Sequence, residues 1–375
     1  MPISNIPKIL VIASEYPPYG SGIANVVENV VNTLGDMGIE CTVCTPHGPD
    51  IKLGSWQLIQ KTGVLGLLYF WYEVSRYFKY HEYGIVWMHN PFFIFSNPLQ
   101  KCVVTMHSTY YGESTQIEGV PLLLRIYRTL VKILERYCLT RMNRAFFTGV
   151  NASVCKEIEE IGINPERIAF ISNGVEIQRF CPRKERQMLR KKFEIHLDAK
   201  VLLSVGRLTY HKQPFLLLKL FSLISQKIEN LILVFVGTGE LFDTLITYAE
   251  KNNICNVKFL GHINHKTDLP GLYACSDFFI TSSSYEGIPL TLLEAMASGL
   301  PCIVSNIPNF HVVKDAECGI VINFQDLGSV EQLLHYITTH QGVHSRNARG
   351  YAQRNFDWRI ISNKYLELFQ THQNI

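Results

Sequence analysis

No hydrophobic run in the sequence is long enough to cross a bilayer. The longest, VLGLLYFWY at 64–72, falls far short of the roughly 20 apolar residues a spanning helix needs. Met1 to Pro7 is short, and the KILVIAS that follows is too brief to read as part of a signal peptide. The ten cysteines show no framework spacing, which favours a reducing compartment and, with the missing leader, a cytoplasmic location. Cys41 and Cys44 form a C-x-x-C, but ECTVC reads as a strand. Residues three apart on a strand face opposite sides, so ordinary buried thiols are expected. Net charge is only +3, too small to argue for nucleic acid. Asp-x-Asp, a Walker loop and G-x-S-x-G are all missing. His262 and His265 lack a third ligand at metal spacing, and His335 and His340 are a poor chelating pair on an expected helix. No metal and no cofactor are expected.

What remains is a globular composition, 47% hydrophobic and 18% charged over 375 residues, with room for two cores. Short apolar, β-branched runs recur. KILVIAS, ECTVCTP, GIVWMHN, KCVVTMHS, RAFFTGV and IAFISNGV lie in the first half. KVLLSVGRL, LILVFVGTG, VKFLGHI, DFFITSS, PCIVSN and GIVINF lie in the second. Helical patterns separate most of them, so two parallel sheets covered on both faces are expected. The charged stretch 182–200 is the natural boundary. It gives a first domain at 1–181 and a second at 182–354, with a cleft between them. The terminal helix at 355–375 would cross back to the first domain.

Segment 121–144 is an amphipathic helix. Arg125, Arg128, Lys132, Glu135 and Arg136 fall on one side, and Leu123, Ile126, Leu130, Ile133, Leu134 and Tyr137 on the other. It reads as a surface helix with a solvated charged face, or as a basic face that meets anionic lipid or a charged acceptor.

The chemistry concentrates in SSYEGIPLTLLEAMASGLPCIVSN, 283–306. A strand leads through Gly287 and Pro289 into a helix that Gly299 stops. The helix N-terminus then lies at a strand's carboxyl end, where free N–H groups and the dipole favour an anion. Glu286 beside that anion makes sense if it accepts from sugar hydroxyls. Glu294, deeper in the helix, suits a second hydroxylated group such as a ribose. A capping acid and an unrelated helix-face acid would read the same way. In SVGRLTYHKQP, Arg207 and Lys212 follow a strand and can hold a diphosphate. Gly20 and Gly22 in YPPYGSGIANVV shape either a phosphate- or sugar-approaching loop or a plain tight turn. His107 ends a strand in VVTMHS, and Asn173 ends the last strand of the first half. His107 could bond a sugar hydroxyl, assist proton transfer, or be purely structural.

These motifs together resemble the retaining nucleotide-sugar glycosyltransferases of the GT-B fold, family-4 type. The resemblance covers nearly the whole chain and is most specific in EGIPLTLLEAMASGLP. It implies two Rossmann-like domains facing a central cleft. It also implies a donor sugar held by Glu286 and His107, and a diphosphate held by Arg207, Lys212 and the backbone from Gly287 and Ile288 to Leu290 and Thr291. A ribose at Glu294 follows, with the base near Gly261, His262 and Ile263. Gly20, Gly22 and Asn173 would line the donor–acceptor region. The loop TYHKQP departs from relatives that carry an acid and a glycine beside the lysine. The implied reaction moves a sugar from a UDP- or GDP-sugar to an acceptor hydroxyl with retention and without a metal. The expected acceptor is a lipid-linked or surface saccharide, with a peripheral contact at the membrane. A UDP-sugar epimerase of the same fold, a dinucleotide oxidoreductase and a catalytically idle nucleotide-binding subunit are the rivals.

Overall fold

The computed structural model describes residues 8–19, 22–78, 84–95, 97, 99, 101–115, 122–326, 328–339 and 342–373. Gly20 lies outside them. The chain divides into two compact units, 1–173 with 358–375, and 174–357.

The first unit is built on seven parallel strands: β1 (Ile9–Ile12), β2 (Cys41–Thr45), β3 (Ile51–Lys52), β4 (Ile85–His89), β5 (Val103–Met106), β6 (Phe146–Gly149) and β7 (Ile168–Phe170). Their order is β3-β2-β1-β4-β5-β6-β7. β1, β4 and β5 are buried along their whole length, as continuous apolar runs in a doubly covered sheet must be. β3 is a two-residue edge strand, too short to show a period. Helix Trp358–Gln373 belongs to this unit: the Tyr365 ring packs 4.7 Å from Trp87, and its hydroxyl lies 3.2 Å from Thr105 Oγ1.

The second unit has six parallel strands: β8 (Lys200–Val205), β9 (Leu231–Val236), β10 (Val257–Phe259), β11 (Phe278–Thr281), β12 (Cys302–Ser305) and β13 (Gly319–Ile322). Their order is β10-β9-β8-β11-β12-β13. Strand order therefore reverses at β1/β4 in one unit and at β8/β11 in the other. In open α/β sheets ligands bind beyond the carboxyl ends of the strands at such a reversal.

One expectation changes, and one stretch gains a structural role. The charged stretch 182–200, which begins the expected second domain, packs into the second unit. Its helix Arg186–Lys192 folds into the second unit because Arg190 is buried there. The Arg190 guanidinium donates to the carbonyls of Cys275 (3.1 Å) and Ala199 (2.8 Å) and to Asp277 Oδ2 (2.8 Å). Helix Leu122–Thr140 buries a stripe other than its apolar one: of the expected apolar side Leu134 packs against the core, and Arg125 and Arg136 of the charged side stay exposed. Val131, Glu135, Cys138 and Leu139 face inward, while Leu123, Ile126, Leu130, Ile133 and Tyr137 are exposed. The reason is Glu135, whose carboxylate accepts the N–H groups of Tyr110 and Tyr111, each at 3.1 Å. It thereby satisfies the first turn of helix Tyr110–Thr115. Burial pushes the Glu135 carboxyl up to about 7 against the pull of those two donors.

Removing Arg190 strands a part-buried carboxylate and several carbonyls. Arg190→Ala should lower the unfolding free energy of the second unit by about 3–5 kcal/mol. Arg186, also paired with Asp277 but more exposed, should cost about 1 kcal/mol or less as alanine. Urea midpoints of the two variants check the contrast.

Candidate donor site and the histidine pair

In the second unit the loops after β8 and β11 are bound to each other. Ser282 Oγ lies 3.0 Å from the Lys212 carbonyl and 2.9 Å from that of Gln213. The Ser284 N–H donates to the His211 carbonyl at 2.8 Å. The first loop is drawn tight by glycine. Gly206 has φ 149° and Gly237 φ 119°. A Cβ on Gly237 would stand 2.1 Å from the Gly206 carbonyl oxygen, so only glycine lets the loops after β8 and β9 touch. Residues Tyr210–Lys212 form a 3₁₀ turn, and Gln213 takes a left-handed conformation before helix Pro214–Ile224.

This framework brings Lys212 and Glu286 into an ion pair. Glu286 is held from behind, its carbonyl accepting from Asn309 Nδ2 at 2.7 Å. Arg207 is exposed at the mouth of the same loop. The His211 imidazole reports how closely these charges gather: burial lowers its pKa, Glu286 opposes that, and Lys212 and Arg207 lower it further.

Helix Leu290–Ala297 begins beside this pair. Pro289 is its N-cap rather than a first-turn residue, and no side chain caps the N-terminus. Gly299 ends the helix at φ 73°, with Leu300 N–H returning to the Ala295 carbonyl at 2.9 Å. Leu290 and Thr291 stand in the open first turn. Gly287 is half-buried, and Ile288 is buried in the core, so Ile288 can offer a ligand only its backbone.

Glu294 is deeper than spacing suggested. It is 4% exposed, with Oε1 2.7 Å from His265 Nε2 and Oε2 receiving the Tyr273 hydroxyl at 2.9 Å. Burial alone would depress the His265 imidazole, but the hydrogen bond and charge of Glu294 outweigh it and raise its pKa. A ribose hydroxyl would have to share Glu294 with His265. Gly261 turns at φ 63°, and its carbonyl accepts from Gly237 N at 2.7 Å. His262 is exposed beside it, and Ile263 packs against the core. Tyr273, Ser282, Ser284 and Asn309 were not read from the sequence, and His265 was weighed there only as a metal ligand. The SSS run at 282–284 was the one available signal for the serines.

The other candidates lie in the first unit. Gly22 is the first residue of helix Gly22–Asp36, and Asn173 is the last residue of the unit's main segment. His107 follows β5 at its carboxyl end. Its backbone N–H donates to Asn90 Oδ1 at 3.0 Å, and its Nε2 lies 2.9 Å from His89 Nδ1. Burial pushes the His107 imidazole down to about 3. Burial and the neighbouring His107 hold His89 well below its ordinary value. His107 is thus a neutral ring whose orientation is set by a second, fully buried histidine. A cavity of about 650 Å³ in this unit lies at the opposite, amino end of β4–β6, lined by Ile85, Val103 and Phe146. It is remote from the strand-end histidines.

Residues 185–355 match the family model for glycosyl transferases group 1, and residues 20–179 that for glycosyltransferase family 4. The chain belongs to this family of GT-B glycosyltransferases. It is 32% identical over 254 residues to the UDP-Gal:alpha-D-GlcNAc-diphosphoundecaprenol alpha-1,3-galactosyltransferase of Escherichia coli. That match covers 66% of this chain and 63% of that protein, so it spans a little under two thirds of the relative's length. Among solved structures, WaaG, a glycosyltransferase involved in lipopolysaccharide biosynthesis, matches at a TM-score of 0.78 with 20% identity, covering 96% of this chain and 99% of WaaG. Anabaena HepE, solved with UDP-glucose, matches at 0.71 with 17% identity, covering 98% and 100%. The seven- and six-stranded sheets are the two Rossmann-like halves of the GT-B fold.

In the first unit the histidine pair makes stability depend on pH. Both folded pKa values lie below the unfolded value near about 6.5. The stabilisation is complete above that value and is lost as pH falls toward about 3, because the unfolded chain takes up protons that the folded pair refuses. The first unit should therefore lose urea resistance progressively as pH falls below about 6.5. His89→Gln, which keeps a hydrogen-bonding group but cannot titrate, should flatten that dependence.

Proposed function

We propose that the chain transfers a sugar from a nucleotide-diphosphate sugar, UDP- or GDP-linked, to a hydroxyl of a lipid-linked or surface saccharide, without a metal and with retention of the donor's α configuration. The observation that carries this is the convergence in the second unit of Lys212, Glu286, Arg207 and the uncapped start of helix Leu290–Ala297. The cations and the helix dipole suit a diphosphate, and they can neutralise the charge that grows on it as it leaves. Glu286, ion-paired in the free protein, can turn to sugar hydroxyls once the diphosphate takes Lys212. Glu294 with His265 would hold the ribose. Gly261, His262 and Ile263 would border the base. Gly20, Gly22 and Asn173 would serve the donor–acceptor region.

In the reaction the bond from the sugar C1 to the diphosphate oxygen breaks and a bond from C1 to the acceptor oxygen forms on the same face. The acceptor proton passes to the departing diphosphate oxygen. His107, neutral and oriented by His89, would accept or donate one hydrogen bond to a sugar hydroxyl without changing charge. The E. coli relative, whose name states a diphosphoundecaprenol-linked acceptor, supports the lipid-linked class. None of the described helices is long and apolar enough to cross a membrane. A peripheral position on the cytoplasmic membrane face is the corresponding location.

Binding and slow hydrolysis across UDP-, GDP-, ADP- and dTDP-sugars without added metal should yield one preferred donor; binding to none would overturn the reading. With that donor, Glu286→Ala should abolish transfer while nucleotide affinity stays within a few-fold. Arg207→Ala combined with Lys212→Ala should weaken nucleoside diphosphate binding by about 3 kcal/mol or more, as lost charge-assisted bonds do. An unaltered dissociation constant would remove both cations from the site.

A further inference from the structure

We infer that the outward face of helix Leu122–Thr140, continued by Phe95 and by helix Val64–Tyr77, is a docking surface for an anionic phospholipid bilayer. This deepens the lipid-linked acceptor reading.

Three observations carry it. First, Leu123, Ile126, Leu130, Ile133 and Tyr137 recur every three to four residues, so they form one stripe along the helix. That stripe faces solvent: Leu123 is 82% exposed, Leu130 62% and Ile133 61%. A contiguous apolar surface of this kind marks an interaction site. Second, the stripe does not stop at the helix. The Arg141 guanidinium lies 4.8 Å from the Tyr137 ring and donates to the Phe95 carbonyl at 3.1 Å. Phe95, 70% exposed, packs 6.1 Å from the Tyr72 ring. Tyr72 shares a face of helix Val64–Tyr77 with exposed Tyr69 and Leu65. At the other end, a Cβ on Gly63 would lie 3.6 Å from the Tyr127 hydroxyl, so the start of that helix also adjoins helix Leu122–Thr140.

Third, the exposed charge along helix Leu122–Thr140 and its continuation to 144 has one sign. Between 122 and 144 the sequence carries Arg125, Arg128, Lys132, Arg136, Arg141 and Arg144, and its one acid is Glu135. That acid is buried and spent on the N–H groups of Tyr110 and Tyr111. The surface therefore offers leucine and isoleucine to be buried, tyrosine and phenylalanine at the polar–apolar boundary, and a row of cations, with the half-buried Glu73 the one acid that helix Val64–Tyr77 adds. An interfacial helix on an anionic membrane needs that combination. A second copy of the same face would bring cations against cations, so self-association is disfavoured by the charge that favours the membrane.

The test is co-sedimentation of the full chain with vesicles of phosphatidylglycerol and phosphatidylcholine in equal parts, against phosphatidylcholine alone. Wild type should bind the anionic vesicles and release as salt is raised. Leu130→Asn with Ile133→Asn, both exposed and so harmless to the fold, should weaken binding about tenfold or more. Arg125→Gln with Arg136→Gln should weaken it on anionic vesicles and reduce the salt dependence. Wild type left in the supernatant, or unchanged binding by the Leu130/Ile133 variant, would overturn the proposal. A dimer in solution that the same variant splits, with no vesicle binding, would assign the face to a second copy and overturn it too. Donor-sugar hydrolysis by the Leu130/Ile133 variant should match wild type. Loss of vesicle binding and loss of donor binding are thus read separately, one bearing on this surface and the other on the proposed transfer.

Discussion

The second unit depends on the contact between the loops that leave β8 and β11. Those strands are neighbours only because the sheet reverses its order there. Their loops come close enough to share hydrogen bonds because the β8 loop is itself folded back on Gly237, where a single added carbon would collide with the Gly206 carbonyl. Ser282 and Ser284 close the junction. Once it is closed, a lysine from one loop and a glutamate from the other have little choice but to meet. The ion pair is a consequence of backbone packing, and it leaves a cation and a carboxylate preorganised beside an open helix terminus.

The first unit organises its strand ends by another means, a polar thread through an apolar sheet. Trp87 Nε1 donates to Thr105 Oγ1 at 2.8 Å, and Thr105 in turn lies 2.8 Å from Thr148 Oγ1 and 3.2 Å from the Tyr365 hydroxyl. Above that thread the His89 ring lies 4.3 Å from Trp87 and 5.2 Å from His107. Buried polar groups satisfied in this way hold their neighbours to one arrangement. The terminal helix contributes through Tyr365, which is how a segment at the end of the chain helps position a residue near position 107.

Much of this was legible in advance. Long apolar runs alternating with helical patterns point to parallel sheets because a strand covered on both faces has no polar side to show. The Gly-x-Pro before an apolar helix marks where that helix starts, and the cations after a strand fall in the loop beside it, because helix starts and strand ends leave local signals in the sequence. Less accessible were the partners that come from far away in sequence. Nothing in the spacing of Glu294 says that His265 and Tyr273 will occupy it, since both reach it from a neighbouring segment only after the sheet has formed. Likewise Asn309 is adjacent to Glu286 through β12 rather than through any local pattern.

Helix Leu122–Thr140 shows the division most plainly. Its sequence by itself determined that a helix forms and that one stripe of it is apolar, because periodicity is a local property of side-chain order. Only the tertiary structure decided which edge turns inward. That choice was made by Glu135, which finds two backbone N–H donors beneath the helix, and by Val131, Cys138 and Leu139 beside it. A buried carboxylate must have partners, and those lie more than twenty residues away along the chain, so no reading of the helix alone could have supplied them.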